Sequence, residues 1–181
     1  MTATRTDDLP AGTRRAALLL LRYAIVMAFV GLLTGISFQE SARKLPFAAA
    51  GAGLHVEAVL NLALVHGHVF TFGVLLPLAL AGSLLMARRL GGREVGPRAL
   101  LALTWGYLPG AAATAALQLV KGYHVLLAVR RGATDLAAVD HAFLGGSAVL
   151  RFLLYGGAHA LLGAGLAVFL VALWRSLPRA D

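Results

Sequence analysis

The chain has 181 residues, of which 59% are hydrophobic and only 13% are charged. A soluble domain has roughly 45–50% apolar and about 25% charged residues, so this composition excludes a water-soluble enzyme and an intrinsically disordered chain. The absence of cysteine excludes disulfides, thiolate metal sites and thiol catalysis. The net charge of +8 comes in short basic clusters between apolar runs, which is typical of membrane flanks and not of a nucleic-acid-binding surface.

Four apolar runs are long enough to cross a bilayer, which takes roughly 20 helical residues. Residues 1–12 predict a loose cytoplasmic tail, and the apolar run 16–38 is too long for a signal peptide. The other predicted spans cover 60–87, 99–121 and 152–174. Pro77 and Pro109 lie inside two of them, where a kink is tolerated if neighbours bond the carbonyl that the proline frees. The sequence predicts an all-α integral membrane four-helix bundle, one domain with two longer outer loops.

The positions of arginine and lysine predict the orientation of the bundle. With the N-terminus inside, the cytoplasmic side holds ten of the 16 basic residues: Arg5, Arg14, Arg15, Arg22, Arg88, Arg89, Arg93, Arg98, Arg175 and Arg179. The outer side holds the other six: Arg43, Lys44, Lys121, Arg130, Arg131 and Arg151. Both termini are therefore predicted to be cytoplasmic. The outer loop after the third span mixes apolar and basic residues at 126–131, which is typical of a segment lying in the headgroups.

Polar side chains at membrane depth form one predicted layer near the outer face. At about 1.5 Å per residue, its members within the spans lie roughly 24–33 Å from the cytoplasmic ends. Polar groups within spans are costly and usually mark function, so a layer drawn from all four helices predicts a site. The layer consists of Glu40, His66, His68, Gln118, Lys121 and His159.

The histidines of this layer predict a heme site, because histidines on facing bundle helices can hold a heme or a metal ion. His66 and His68 are two residues apart, so their rings point about 200° apart and cannot both bind one ion from the helix interior. Gly73 near His66 and Gly163 near His159 leave space for a flat macrocycle. We therefore expect heme b near the outer face of a cytochrome b-like protein, with His66 as the first iron ligand and His159 or His68 as the second.

The residues leave several alternatives open. A heme with one histidine ligand keeps an open position, as in a membrane enzyme that activates an epoxide-like or oxidised substrate. A Cu or Zn site could use the same histidines with Glu40, and Gln118 and Lys121 would lie around either cofactor. A cofactor-free structural bundle is the last alternative, because small-residue faces also pack membrane helices together. The expected partners are the lipid bilayer, a second copy in a homo-oligomer and an unidentified redox partner.

The same residues carry a resemblance to known families. The segments 31–40, 64–68 and 157–163 resemble a family of small four-span bacterial membrane proteins of unassigned function, which implies the bacterial inner membrane. The segment 66–77 is similar to the histidine-bearing second helix of heme–copper oxidase large subunits, which implies that His66 binds heme. The layout also resembles that of styrene oxide isomerases, which hold heme b on one second-helix histidine at a subunit interface. His66 takes that position, Gly73 matches a glycine, and Phe72 stands where the isomerases have an asparagine that helps to hold the epoxide.

Overall fold

The structure, a computed structural model, describes residues 9–45 and 52–178. Within those residues the regular secondary structure is helical, with no strand. The elements are α1 (Ala11–Arg43), α2 (Ala52–His68, the π-helical turn Val69–Leu75 and Leu76–Arg89), α3 (Pro97–Leu101, the π-helical turn Ala102–Tyr107 and Leu108–Arg130), the short α4 (Leu136–Ala142) and α5 (Ala148–Ser176). The helices α1, α2, α3 and α5 are long and apolar enough to cross a membrane. The predicted all-α membrane fold is confirmed.

All four long helices extend beyond the predicted spans. Most of the predicted tail, residues 1–8, lies outside the described residues, and α1 already begins at Ala11. The expected outer loops are shorter than predicted, because α2 starts at Ala52 and α3 continues to Arg130. The segment 126–131, predicted to lie in the headgroups, forms mainly the last turn of α3. It packs on α2 there, since the buried Leu126 and Val129 belong to one apolar cluster with Ala58 and Leu62.

The helices share a core at one end of the bundle and separate at the other. We call the end with Ala11, the 90–96 connection and Ser176 the terminal end, and the opposite end the loop end. Near the terminal end, one apolar cluster draws on all four long helices: Ala16, Leu20, Leu80, Leu84, Leu103, Tyr107 and Phe169 are among its members. The cluster at the loop end holds buried residues of α2 and α3 but none of α5. Because α5 packs mainly on α3, the part of α5 towards the loop end keeps a broad outward surface.

Each of the two predicted kinks is a π-helical turn that ends just before a Leu-Pro pair. In α2 the Leu76 amide bonds the Thr71 carbonyl, five residues back, and Pro77 has no amide hydrogen. Neither residue can therefore donate to the Phe72 carbonyl. The Tyr107 hydroxyl of α3 donates to that carbonyl over 2.6 Å. A neighbouring helix thus bonds the carbonyl that the proline leaves free, as the sequence predicted.

Glycines set the close approach of α3 and α5. A Cβ built on Gly165 would lie 2.5 Å from the Tyr107 nitrogen and 2.6 Å from the Ala102 oxygen, and one built on Gly110 would lie 2.5 Å from the Leu162 nitrogen. Real Cβ atoms do not come so close to backbone atoms. The π-helical turn of α3 therefore lies directly against α5, and this contact fixes the position of the helix that carries His159.

Candidate functional site

His66 lies in a packed contact between α1 and α2. Its Nδ1 is 2.9 Å from the Gly31 carbonyl oxygen, and its ring meets the Phe70 ring edge-on at 4.9 Å between centroids. A Cβ on Gly35 would lie 2.8 Å from His66 Cε1, and one on Gly31 would lie 2.5 Å from Phe70 Cε2. We call these four residues, Gly31, Gly35, His66 and Phe70, the α1–α2 seam. The two glycines of α1 make room for the two rings of α2.

The space that the sequence predicted beside Gly73 is filled in this structure. Gly73 is buried, and a Cβ there would lie 2.9 Å from both Cβ and Cε of Met27 on α1. Together with the glycine contact of the His66 ring, this places side chains of α1 and α2 where a macrocycle would need space. A heme bound at His66 requires α1 to move relative to α2.

His68 points away from the seam. Its Nδ1 is 2.8 Å from the Leu64 carbonyl oxygen of its own helix, and its ring lies 5.7 Å from the Phe72 ring. His66, by contrast, contacts α1. The two rings therefore occupy different sides of α2, as their spacing predicts.

His159 lies on an exposed stripe of α5. Its Nδ1 is 2.8 Å from the Tyr155 carbonyl oxygen one turn back, and its side chain is exposed. Phe152, Gly156 and Gly163 follow the same side of the helix at spacings of three, four and seven residues. Cβ atoms built on Gly156 and Gly163 meet nothing closer than Phe152 at 4.0 Å. We call these four residues the open face of α5.

The three histidines share one chemical feature. In each, Nδ1 lies within 2.9 Å of a backbone carbonyl oxygen, which can only accept a hydrogen bond. Nδ1 must therefore carry the proton, and the neutral ring has its lone pair on Nε2. A metal-binding histidine is usually held in this way, with its other nitrogen bonded to a carbonyl or carboxylate. His124 is the opposite case, since its Nε2 bonds the Val139 carbonyl at 2.9 Å.

The other polar residues of the predicted layer form bonds within the protein. Gln118 Nε2 donates to Asn61 Oδ1 at 3.3 Å, which joins α3 to α2. Lys121 Nζ lies 2.6 Å from Asp140 Oδ1 of α4, and Glu40 pairs with Arg43 one turn further along α1. In the part of the chain that the structure describes, none of these three side chains bonds a histidine of the layer. Their geometry is that of cross-links and a surface ion pair.

The structure does not gather the candidate ligands in one place. His66 is half-buried between α1 and α2, whereas His159 lies on the outward side of α5, which packs on α3. In the described segments 9–45 and 52–178, no three His, Asp or Glu side chains are grouped so that they could hold a metal ion. A Cu or Zn site built from one chain therefore has no ligand cluster among these residues.

The sequence did not indicate that tyrosine hydroxyls form hydrogen bonds between the helices. Tyr107 bonds the Phe72 carbonyl, Tyr155 donates to the Leu117 carbonyl at 3.0 Å, and the Tyr123 hydroxyl bonds the Ser37 hydroxyl. One signal in the sequence could have indicated the first of these bonds. Tyr107 lies two residues before Pro109, at about the same predicted depth as Pro77 of the neighbouring span.

His55 and His141 lie between the predicted spans, in the two predicted outer loops. His55 is instead buried in α2, and His141 lies exposed in α4, where its carbonyl accepts a hydrogen bond from Arg151. Neither residue lies on the open face of α5.

No protein-family model matches the chain, and comparisons with curated proteins and with solved structures find no significant match. The family resemblances of the segments around His66 and His159 therefore stay predictions.

Proposed function

We propose that the protein is a membrane-embedded heme b-binding protein, cytochrome b-like, with His159 as the principal iron ligand. The observation that carries this proposal is the exposed His159 imidazole, whose Nδ1 is bonded to the Tyr155 carbonyl so that Nε2 offers its lone pair outward. At the predicted depth of this residue, an unpaired polar group is costly. A bond from Nε2 to heme iron would satisfy it.

Steric fit favours His159 over His66, which the sequence ranked first. The open face of α5 has glycines on both sides of His159, and within residues 9–45 and 52–178 no side chain of another helix lies within 4 Å of a Cβ built on either glycine. Beside His66, the corresponding glycine is covered by Met27. The glycines next to His159 leave space for a flat porphyrin to approach the helix backbone. The residues of the open face of α5 therefore fit a heme.

The two other histidines have different parts in this proposal. His68 also has an outward Nε2, and it or the His159 of a second copy would complete a two-histidine site in a homo-oligomer. His66 instead joins α1 to α2 through the Gly31 carbonyl. With two histidine ligands, a bound heme would supply one-electron chemistry. With one histidine ligand, it would keep an open coordination position for a substrate.

A cofactor-free structural bundle is the second candidate. The observation that favours it is the use of Gln118, Lys121 and the tyrosines in bonds between elements. In that function the polar layer holds the helices in register, and His159 contacts a polar group of lipid or of a second copy.

An optical spectrum of the purified protein, expressed with added heme precursor, tests the proposal. We expect a Soret band in the wild type, its loss or a change of spin state in His159→Ala, and an unchanged spectrum in the matched control His141→Ala. His141 is also an exposed histidine, but it lies on α4. His66→Ala should keep the heme and lower the thermal stability of the bundle.

Three outcomes would contradict the proposal. A wild-type protein without heme under adequate supply favours the structural bundle. Full retention of the spectrum by His159→Ala removes this residue as the ligand. Loss of heme in His66→Ala, with folding intact by circular dichroism, assigns the iron to the α1–α2 seam and shows that α1 moves.

We also propose that the protein lies in a bacterial inner membrane with both termini cytoplasmic. The support is the excess of arginine at the terminal end, where Arg88, Arg89, Arg93, Arg98 and Arg175 lie. A reporter that is active only outside the cytoplasm should be silent when fused after Asp181 and active when inserted after Gly132. The reverse pattern would overturn this orientation.

A further inference from the structure

A groove of about 830 Å³ opens at the terminal end of the bundle. It lies between the start of α3 and the last turns of α5. Its walls on α5 are apolar, with Val168 and Val171 each about half exposed. Nothing in the described residues covers these valines, so the groove is open to the membrane side of the protein.

Three arginines lie at the mouth of this groove: Arg93, Arg98 and Arg175. All three are exposed, and in the described ranges no carboxylate lies within 4.0 Å of any of them. Glu94 is the one acidic residue among those that line the groove. The mouth therefore carries a net positive charge and unpaired guanidinium groups, which bind phosphate through paired hydrogen bonds.

Apolar and charged groups are layered along the groove. Arg175, Val171 and Val168 are four and seven residues apart, so they lie on one side of α5 with the charge towards the helix end. Trp174, next to Arg175, is 78% exposed, which is typical of the aromatic residues at a membrane interface. The groove thus has cationic side chains at its mouth and apolar side chains further along α5, which is the order of the charged and apolar groups in a phospholipid.

The groove is a fixed part of the fold. The Arg93 amide donates to the Ser176 carbonyl at 2.7 Å, so the connection between α2 and α3 is tied to the end of α5. Gly92 lies against the same carbonyl, since a Cβ there would be 3.0 Å from it. The arginine at position 93 is therefore held beside Arg175 by backbone contacts.

We propose that this groove binds an anionic phospholipid, with the headgroup phosphate at Arg98 and Arg175 and an acyl chain along Val168 and Val171. Basic pockets at the end of a helix bundle recognise anionic headgroups by charge, and the apolar wall adds the contact that a free anion lacks. This binding is independent of heme.

Native mass spectrometry of the delipidated protein tests the proposal with three probes: phosphatidylglycerol, phosphatidylcholine of the same acyl chains, and inorganic phosphate. We expect saturable binding of phosphatidylglycerol and much weaker binding of the other two. The double variant Arg98→Gln/Arg175→Gln should weaken phosphatidylglycerol binding about 25-fold, because each basic side chain at an anionic membrane surface contributes roughly five-fold.

The matched control is Arg130→Gln/Arg131→Gln, which removes the same charge from two exposed arginines at the loop end. This control should bind phosphatidylglycerol as the wild type does. A second variant, Val171→Trp, keeps the charge but fills the groove, and it should lose phosphatidylglycerol while its weak phosphate binding stays unchanged.

The proposal fails if phosphatidylcholine binds as tightly as phosphatidylglycerol, or if the two double variants behave alike. Phosphate binding as tight as that of phosphatidylglycerol would show a free-anion site. A loss of oligomer mass in Val171→Trp, without any change in lipid affinity, would show that a second copy occupies the groove.

Discussion

The α1–α2 seam and the open face of α5 combine the same residue types in opposite environments. In the seam, Gly35 is the place where His66 packs, and the imidazole joins two helices. On the open face, a Cβ built on Gly163 would meet no described residue within 4 Å, and the His159 side chain is exposed. A histidine near a glycine on a membrane helix can therefore either pack between two helices or lie on an exposed face. Which of these it does depends on whether a neighbouring helix covers that face.

The difference follows from the core of the bundle. At the loop end, α1, α2 and α3 pack together, whereas α5 contacts mainly α3. Small residues between two packed helices let the backbones approach, and the same residues on an outward face leave a recess. The recess is the feature that a cofactor or a second copy can use.

The largest expected loss of stability compares two faces of α5, the face that packs on α3 and the open face. Gly165→Ala places a Cβ 2.5 Å from the Tyr107 nitrogen, and backbone atoms cannot rotate away. We expect a loss of about 3 kcal/mol in the free energy of unfolding, the upper part of the usual range for overpacking. Denaturation in detergent, followed by Trp105 and Trp174 fluorescence, measures it.

The matched control is Gly163→Ala, two residues away on the open face. Its Cβ meets nothing within 4 Å, so we expect stability equal to or slightly above that of the wild type. Strong destabilisation by this variant would mean that another chain covers the face, and the comparison between seam and open face would fail.

A smaller effect should come from the seam. Gly35→Ala brings a Cβ to 2.8 Å from His66 Cε1, and a side chain can move more easily than a backbone. We expect about 1–2 kcal/mol of destabilisation. In the double variant Gly35→Ala/His66→Ala the two losses should not add, because the clash and the ring disappear together.

Gly67→Ala serves as the control for this cycle, since its Cβ would meet nothing within 4 Å. Strict additivity of Gly35→Ala and His66→Ala would refute direct packing between these two residues. It would also remove the distinction between the seam and the open face.

The smallest expected loss of stability concerns the Phe72 carbonyl, whose hydrogen-bond donor comes from a neighbouring helix. Tyr107→Phe leaves the Phe72 carbonyl without the donor that Pro77 cannot supply, and we expect a cost of about 1 kcal/mol. Tyr155→Phe removes a similar bond, but the Leu117 carbonyl lies within the regular part of α3, where the helix amide four residues on can still donate. Equal losses of stability in the two variants would contradict this assignment.

Much of the fold could be predicted from the sequence. Run length and low charge indicated four membrane-length helices, and Pro77 and Pro109 indicated two irregular turns, because both depend on local composition. The ends of α2 and α3 could not be predicted in the same way. Their polar and charged residues are typical of loops, but the end of α3 packs on α2 through Leu126 and Val129.

The candidate site could be predicted only in part. The sequence indicated which polar residues lie at membrane depth, and the spacing of His66 and His68 determined that their rings point to different sides of α2. It could not determine that Met27 fills the space beside Gly73 while the space beside Gly163 stays open. Helix periodicity orders the residues around one helix, but whether a face is covered depends on which helix packs against it. The sequence by itself determined the helices and the residues on each face, and the tertiary structure decided which histidine packs between two helices and which is exposed.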